Sequence, residues 1–248
     1  MSTSYEPEQP VGREAEISAI ADAVRPLTHK FEGDNLLIYG PAGVGKTTCV
    51  KHVTGKLESQ ASIKSVYINC WQYNTRSSLL TELLIQLGYP APRKGKPVDA
   101  LLGKIREWLD KNRGVAVALD EFDQLQSQTK IIYDLQMINE EAENPLGLLM
   151  VSNQHPTRIN LDPRSKSRLN CRTLEFQSYN AAMLEEILQD RVEKAFRPGT
   201  VPIEVIEEIA GRVAENSGDC RKALSILLNT GRRADQEGHN KVRLKDIQ

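Results

Sequence analysis

The sequence predicts an α/β protein: a parallel five-stranded sheet with flanking helices, followed by a small all-helical domain. Three observations carry this reading. Short apolar runs alternate with stretches of helical periodicity as far as Gln177. A glycine-rich turn, Gly40-Pro41-Ala42-Gly43-Val44-Gly45-Lys46-Thr47, joins the first of those runs to the helix after it. Beyond Gln177 the periodicity is helical only.

Arg13 to His29 is predicted to be an amphipathic helix, with Ile17, Ile20, Ala21 and Val24 on one face. Leu36 to Tyr39 is a buried strand, and Lys46 to about Glu58 a helix. Ser65 to Cys70 gives the second strand, and Ser77 to Leu87 a helix closed by Gly88. Tyr89 to Pro97, with three prolines and Arg93-Lys94-Gly95-Lys96, is a loop. Val98 to Asn112 returns to helix, Gly114 to Leu119 is the third strand and Lys130 to Glu143 another helix. Leu146 to Ser152 and Arg172 to Phe176 complete the strands. Ala181 to Phe196, Ile203 to Asn216 and Asp219 to Asp235 are helical, which predicts a three- to four-helix second domain. The expected domains are residues 1–177 and 178–248.

A net charge of -1 provides no global field for polyanions, so contact with nucleic acid has to come from local basic patches. Cys49, Cys70, Cys171 and Cys220 are widely spaced, with no C-x-x-C pair, and read as buried free thiols in a reducing compartment. The polar, acidic Met1 to Pro10 is unlike a signal peptide, and the apolar runs are strand-sized. A cytoplasmic protein without membrane contact is expected.

Gly40 to Thr47 matches G-x-x-x-x-G-K-[ST], the P-loop pattern, in the strand-to-helix context that it requires. Glycines let backbone amides converge on phosphate oxygens, and the helix N-terminus adds positive dipole character. Lys46 supplies a full charge to the β- and γ-phosphates, and the Thr47 hydroxyl is suited to Mg²⁺. Pro41, Ala42, Gly43, Val44, Gly45, Lys46, Thr47 and Thr48 form the expected contact set for ATP or ADP. Val115 to Leu119 is an apolar strand ending in Asp120 and Glu121. Alone, such a pair reads as a solvated acidic loop. Coupled to the P-loop, Asp120 is assigned to Mg²⁺ and Glu121 to the attacking water. Asn153, after the fourth strand, is either a γ-phosphate contact or a turn residue before Pro156.

With these residues in view, the chain resembles the AAA+ ATPases of the archaeal and eukaryotic replication-initiator family. Pro10-Val11-Gly12-Arg13-Glu14 looks like the family's N-terminal box, which implies that Val11, Gly12 and Arg13 lie against adenine. Leu119-Asp120-Glu121-Phe122-Asp123 is similar to its Walker B, and Ser152-Asn153-Gln154 to its first sensor. Leu161 to Leu169 resembles the segment bearing the arginine finger, which implies that Arg168 or Arg164 reaches a neighbouring subunit's ATP. Gly218 to Leu224 resembles the second sensor, so the resemblance implies that Arg221 closes the lid onto nucleotide.

The family usually carries a C-terminal winged helix that grips duplex DNA, and the sequence reaches Gln248 near where the lid should finish. Weak duplex binding is therefore expected of these residues. Arg76, Arg93, Lys94 and Lys96 are candidates to meet phosphates, with Trp71, Tyr73 and Tyr89 nearby, and a solvated basic loop is the alternative. The resemblance implies an ATP-hydrolysing replication initiator that binds origin DNA and helps to load a helicase. Replicative helicase or other AAA+ subunits are its implied partners, and an archaeal initiator would be nucleoid-associated. A regulatory AAA+ switch module and a clamp-loader- or transposition-helper-like ATPase are the alternatives.

Overall fold

The computed structural model describes residues 10–90, 95–159 and 161–247. The chain forms two compact units. One comprises Ala15–Tyr39 and Cys49–Glu175, and holds the sheet. The other gathers, of the described residues, 10–14, the segment Gly40–Thr48, and the chain from Phe176 onward.

Among the described residues, the sheet unit contains five parallel strands: β1 (Leu36–Tyr39), β2 (Lys64–Asn69), β3 (Val115–Asp120), β4 (Leu146–Ser152) and β5 (Arg172–Glu175). Their spatial order is β2-β3-β4-β1-β5. Every residue of β3 and β4 is buried, which is why both read as unbroken apolar runs rather than alternating ones. The edges differ. β2 alternates, with Val66 and Ile68 inward, while β5 is short and mostly exposed, with charged Arg172 and Glu175 at its ends. A short charged edge discourages pairing with further strands.

Among the described residues, six helices are interspersed with these strands in chain order: α1 (Glu14–Val24), α2 (Lys46–Ala61), α3 (Arg76–Gln86), α4 (Val98–Lys111), α5 (Gln128–Glu141) and α6 (Pro163–Leu169). Leu79, Leu80, Leu83 and Leu84 of α3 pack with Leu101, Ile105 and Leu109 of α4 in one apolar cluster beneath β2, β3 and β4. Thr75 caps α3 through a reciprocal pair with Ser78. Gly88, at φ 94, closes that helix, as its position predicted.

Two local readings need correction. The helix expected over Arg13 to His29 ends at Val24, and a 3-10 turn, Arg25–His29, follows. Pro26 lacks the amide that a continuing α-helix needs, and the turn stops at Lys30 in the left-handed region. The segment before β5, read without an element of its own, forms α6. Its Asp162 accepts from the amides of Arg164 (3.0 Å) and Ser165 (3.1 Å), and Pro163 starts the helix.

The second unit carries α7 (Ala181–Ala195), α8 (Ile203–Asn216) and α9 (Cys220–Gln236), then a 3-10 turn at Leu244–Asp246. Their buried faces meet through Leu184 and Leu188, Val205, Ile209 and Val213, and Ala223 and Leu227. Asn180 caps α7 by accepting from Met183 N at 2.9 Å, and Asp219 caps α9.

Candidate functional site

The glycine turn lies in the second unit and is shaped by that unit's own residues. Gly43 (φ 75) and Gly45 (φ 91) adopt conformations that L residues seldom take. There is also no room for a side chain. A Cβ on Gly43 would overlap the Asp219 carboxylate, and one on Gly45 would lie 2.7 Å from the Tyr179 hydroxyl. Cys220 N donates to Gly43 O at 3.1 Å, so the start of α9 holds the turn.

Lys46 is the first residue of α2 and is 6% exposed. Its Nζ donates to Gly40 O at 2.7 Å and Pro41 O at 2.6 Å. A buried ammonium held by carbonyl oxygens of its own loop is poised to exchange them for phosphate oxygens, which bind it more strongly because they are charged. Thr47 and Thr48 follow in the first turn, half-buried; Val44 is buried, and Pro41 and Ala42 are exposed. These residues fit a triphosphate.

The amino-terminal box packs in the same unit. Arg13 is 2% exposed, donates through Nη2 to Gln177 O at 2.6 Å, and lies 4.1 Å from the Tyr179 ring centroid and 5.2 Å from that of Phe176. Val11 and Gly12 are half-buried, and Gly12 (φ 68) leaves space that Met183 fills. Arg221 stands exposed in the first turn of α9, its amide bonded to Asp219 Oδ1 at 2.8 Å.

The acidic strand end lies in the sheet unit. Asp120 closes β3 at 5% exposure. Tyr67 Oη donates to its Oδ2 at 2.5 Å, and Glu121 N to its Oδ1 at 2.9 Å. Burial, reinforced by the bond to Asp120, holds the Tyr67 phenol far above its ordinary range, so it remains a donor. Glu121 sits in the left-handed region at φ 54, where the chain leaves β3 for the 3-10 turn Phe122–Gln124. A non-glycine residue held there at a strand end points to function. Asp123 accepts from Asn153 N at 3.1 Å, tying the turn after β3 to the end of β4. In register, Asn69 pairs with Asp120 and Tyr39 with Ser152, so the carboxyl ends of the strands lie along one edge, where α/β sheets bind ligands.

Tyr67 and Asp123 are supports that the sequence reading did not assign. An unusual polar aromatic in β2 was the sole signal for Tyr67, and no spacing marked the Asp123 bond. Nearby, burial and then Asp120, Glu121 and Asp123 push the Cys70 thiol up to about 12. All four cysteines are free as expected; Cys49 and Cys70 are buried, whereas Cys171 and Cys220 are only partly so.

The arginines separate into two kinds. Arg168 grips Glu140 in a bidentate pair, with Nε to Oε1 and Nη2 to Oε2 both at 2.7 Å, and lies 5.7 Å over the Tyr133 ring. Arg164 is exposed, and its guanidinium has no ion pair among the described residues. Arg76, expected to face phosphates, is instead committed to buried Asp134, at 2.5 and 2.6 Å. A buried carboxylate needs its counter-ion, so the Arg76 guanidinium already serves Asp134. Arg93 and Lys94 lie outside the described residues, and Lys96 is exposed. Tyr73 and Tyr89 pack against the core, leaving Trp71 as the exposed aromatic at 68%.

A P-loop nucleotide-binding protein is the class that this turn, its buried lysine and the parallel sheet define. An AAA domain model matches residues 29–158, and a Cdc6 AAA+ ATPase-type lid domain model matches residues 185–248. The chain belongs to the AAA ATPase domain family, and its lid region is similar to the Cdc6 type. It is 33% identical to an ORC1-type DNA replication protein of Pyrococcus abyssi over 98% of this chain, and 34% identical to one from Archaeoglobus fulgidus. It spans 61% and 62% of the length of those relatives. The Aeropyrum pernix ORC1 protein, solved in complex with DNA, superposes with a TM-score of 0.84 at 30% identity, over 98% of this chain and 65% of that one. Cdc6p from Pyrobaculum aerophilum shares the fold, with a TM-score of 0.86 at 23% identity over 99% of this chain and 68% of that one. Among the described residues no helix is long and apolar enough to cross a membrane.

Proposed function

We propose that this chain is the ATP-binding and ATP-hydrolysing part of a DNA replication initiator, organised as an ATPase domain, 1–177, and a lid, 178–248. The observation that carries the reading is the Gly40–Thr47 turn, with positive-φ glycines and a buried Lys46 held by loop carbonyls. The amides of Gly43 and Gly45 and the Lys46 amine receive the β- and γ-phosphates. Thr47 and Asp120 hold Mg²⁺, which screens phosphate charge when bound. Glu121 takes the proton of the attacking water, and Asn153 and Arg221 contact the γ-phosphate side. Val11, Gly12 and Arg13 border the base.

A finger arginine completes the charge neutralisation from a second subunit, so turnover by the isolated protein is slow. Arg168 has to leave Glu140 to serve in that role, whereas Arg164 has no such pair to give up. Duplex DNA is the macromolecular partner, with a replicative helicase or other AAA+ subunits downstream. The ORC1 relative solved with DNA supports that choice.

Titration calorimetry with ATP and Mg²⁺ tests binding, and phosphate release by Glu121→Gln tests the chemistry. The variant is expected to keep ATP affinity and lose about 100-fold or more in turnover. Hydrolysis at the wild-type rate would clear Glu121 of its role. Filter binding to duplex DNA with and without ATP tests the partner, and equal retention in both conditions removes the switch.

A further inference from the structure

The end of α9 and the 3-10 turn after it bring together three side chains that the nucleotide chemistry does not use. One nitrogen of His239 and one oxygen each of Glu237 and Asp246 lie within 4.8 Å of one another. Backbone geometry fixes all three. Gly238, at φ 69, terminates α9 with Gly238 N bonded to Asp235 O (3.1 Å) and His239 N to Ala234 O (2.8 Å). That turn places Glu237 and His239 on either side of the glycine. Asp246 is held by the turn Leu244–Asp246, its amide bonded to Arg243 O at 2.9 Å.

The carboxylates are each half-satisfied. Glu237 Oε1 accepts from Arg233 Nε at 3.1 Å, and its Oε2 stands 3.5 Å from His239 Nε2. Asp246 Oδ2 accepts from Arg243 N at 2.8 Å, with Arg243 Nε 3.9 Å away and His239 Nδ1 at 3.7 Å. Asp246 is 1% exposed, yet its Oδ1 has no hydrogen-bond partner, and the buried Nδ1 of His239 has none either. A buried acceptor and a buried imidazole nitrogen in one cluster, each without a hydrogen-bond partner, are costly unless something fills the gap.

The geometry points to a divalent transition-metal site, of the Zn²⁺ class, formed by Glu237, His239 and Asp246. Imidazole with two carboxylates suits Zn²⁺, Ni²⁺ or Co²⁺ better than Mg²⁺ or Ca²⁺, which take oxygen donors. Tetrahedral ligands at 2.0–2.2 Å from zinc stand about 3.4 Å apart. Closing the present spacing therefore requires small side-chain rotations, which the exposed Glu237 can make. The bonds from Arg233 and Arg243 orient the carboxylates, as outer partners of metal ligands do. A bound ion would fasten the end of α9 to the segment that follows it.

Calorimetry of the tag-free protein with ZnCl₂, and visible absorption with CoCl₂, test the site. One ion per chain is expected, with a cobalt d–d band, and millimolar Mg²⁺ should not displace it. His239→Ala should weaken Zn²⁺ binding by about 100-fold or more and abolish the band. Glu237→Gln, at an exposed position, should weaken it about 10-fold and serves as the deciding variant if His239→Ala does not fold. No heat with the wild type, or equal binding by Glu237→Gln and by a folded His239→Ala, overturns the site.

Discussion

The central strands and the glycine turn bury different things, and the contrast separates platform from device. In the sheet unit, β3 and β4 are buried throughout and their residues are almost all apolar. Buried charge sits elsewhere, at Arg13 (2%), Lys46 (6%) and Asp246 (1%) of the other unit and at Asp120 (5%) and Asp134 (4%) outside the apolar runs of the sheet unit. Apolar burial is non-directional and indifferent to ligand. Buried charge depends on particular partners, so its surroundings respond when a ligand supplies better ones. The sheet should therefore answer to stability measurements, and the cradle to binding measurements.

The largest effect should come from Phe122→Ala, which empties a fully buried site beside the carboxyl end of β3. A loss of about 3–5 kcal/mol is expected by urea denaturation. Lys46→Ala should weaken ATP-Mg²⁺ binding by about 100-fold, roughly 2.7 kcal/mol, while its denaturation midpoint without nucleotide stays close to wild type. Saturating ATP should stabilise the wild type by about 2.7 kcal/mol at 100 times Kd and this variant, at the same concentration, by only about 0.4 kcal/mol. A Lys46→Ala protein that melts early would make the lysine structural and erase the contrast. Asp219→Ala removes the cap of α9 and should cost about 1 kcal/mol, most of it restored by Asp219→Asn. Arg212→Ala, which breaks an exposed helical pair with Glu208, should change stability by less than about 0.5 kcal/mol.

Legibility from sequence followed the same division. β3 and β4 were readable because both faces are covered, so the chain spells an uninterrupted apolar run. The turn at Gly40 to Thr47 was readable because glycines and a lysine at fixed spacing between a strand and a helix form a local pattern. The break at Pro26 and the start of α6 at Asp162-Pro163 were also written in residue type, but short elements carry too few periodic positions to stand out. The pairs Arg76–Asp134 and Tyr67–Asp120 were not readable. Each joins residues more than fifty positions apart, and no local pattern specifies which arginine meets which acid. The glycine fit at Gly43 against Asp219 belongs to the same class, because residues far apart in the chain meet only after folding.

Glu121 holds a backbone conformation, at φ 54, that an L residue adopts at a cost of roughly 1–2 kcal/mol. Asparagine tolerates that region better and would fit the same turn. A library of variants selected for heat resistance alone should then drift toward Glu121→Asn, and every such winner should bind ATP without consuming it. Endurance and turnover would compete for a single codon.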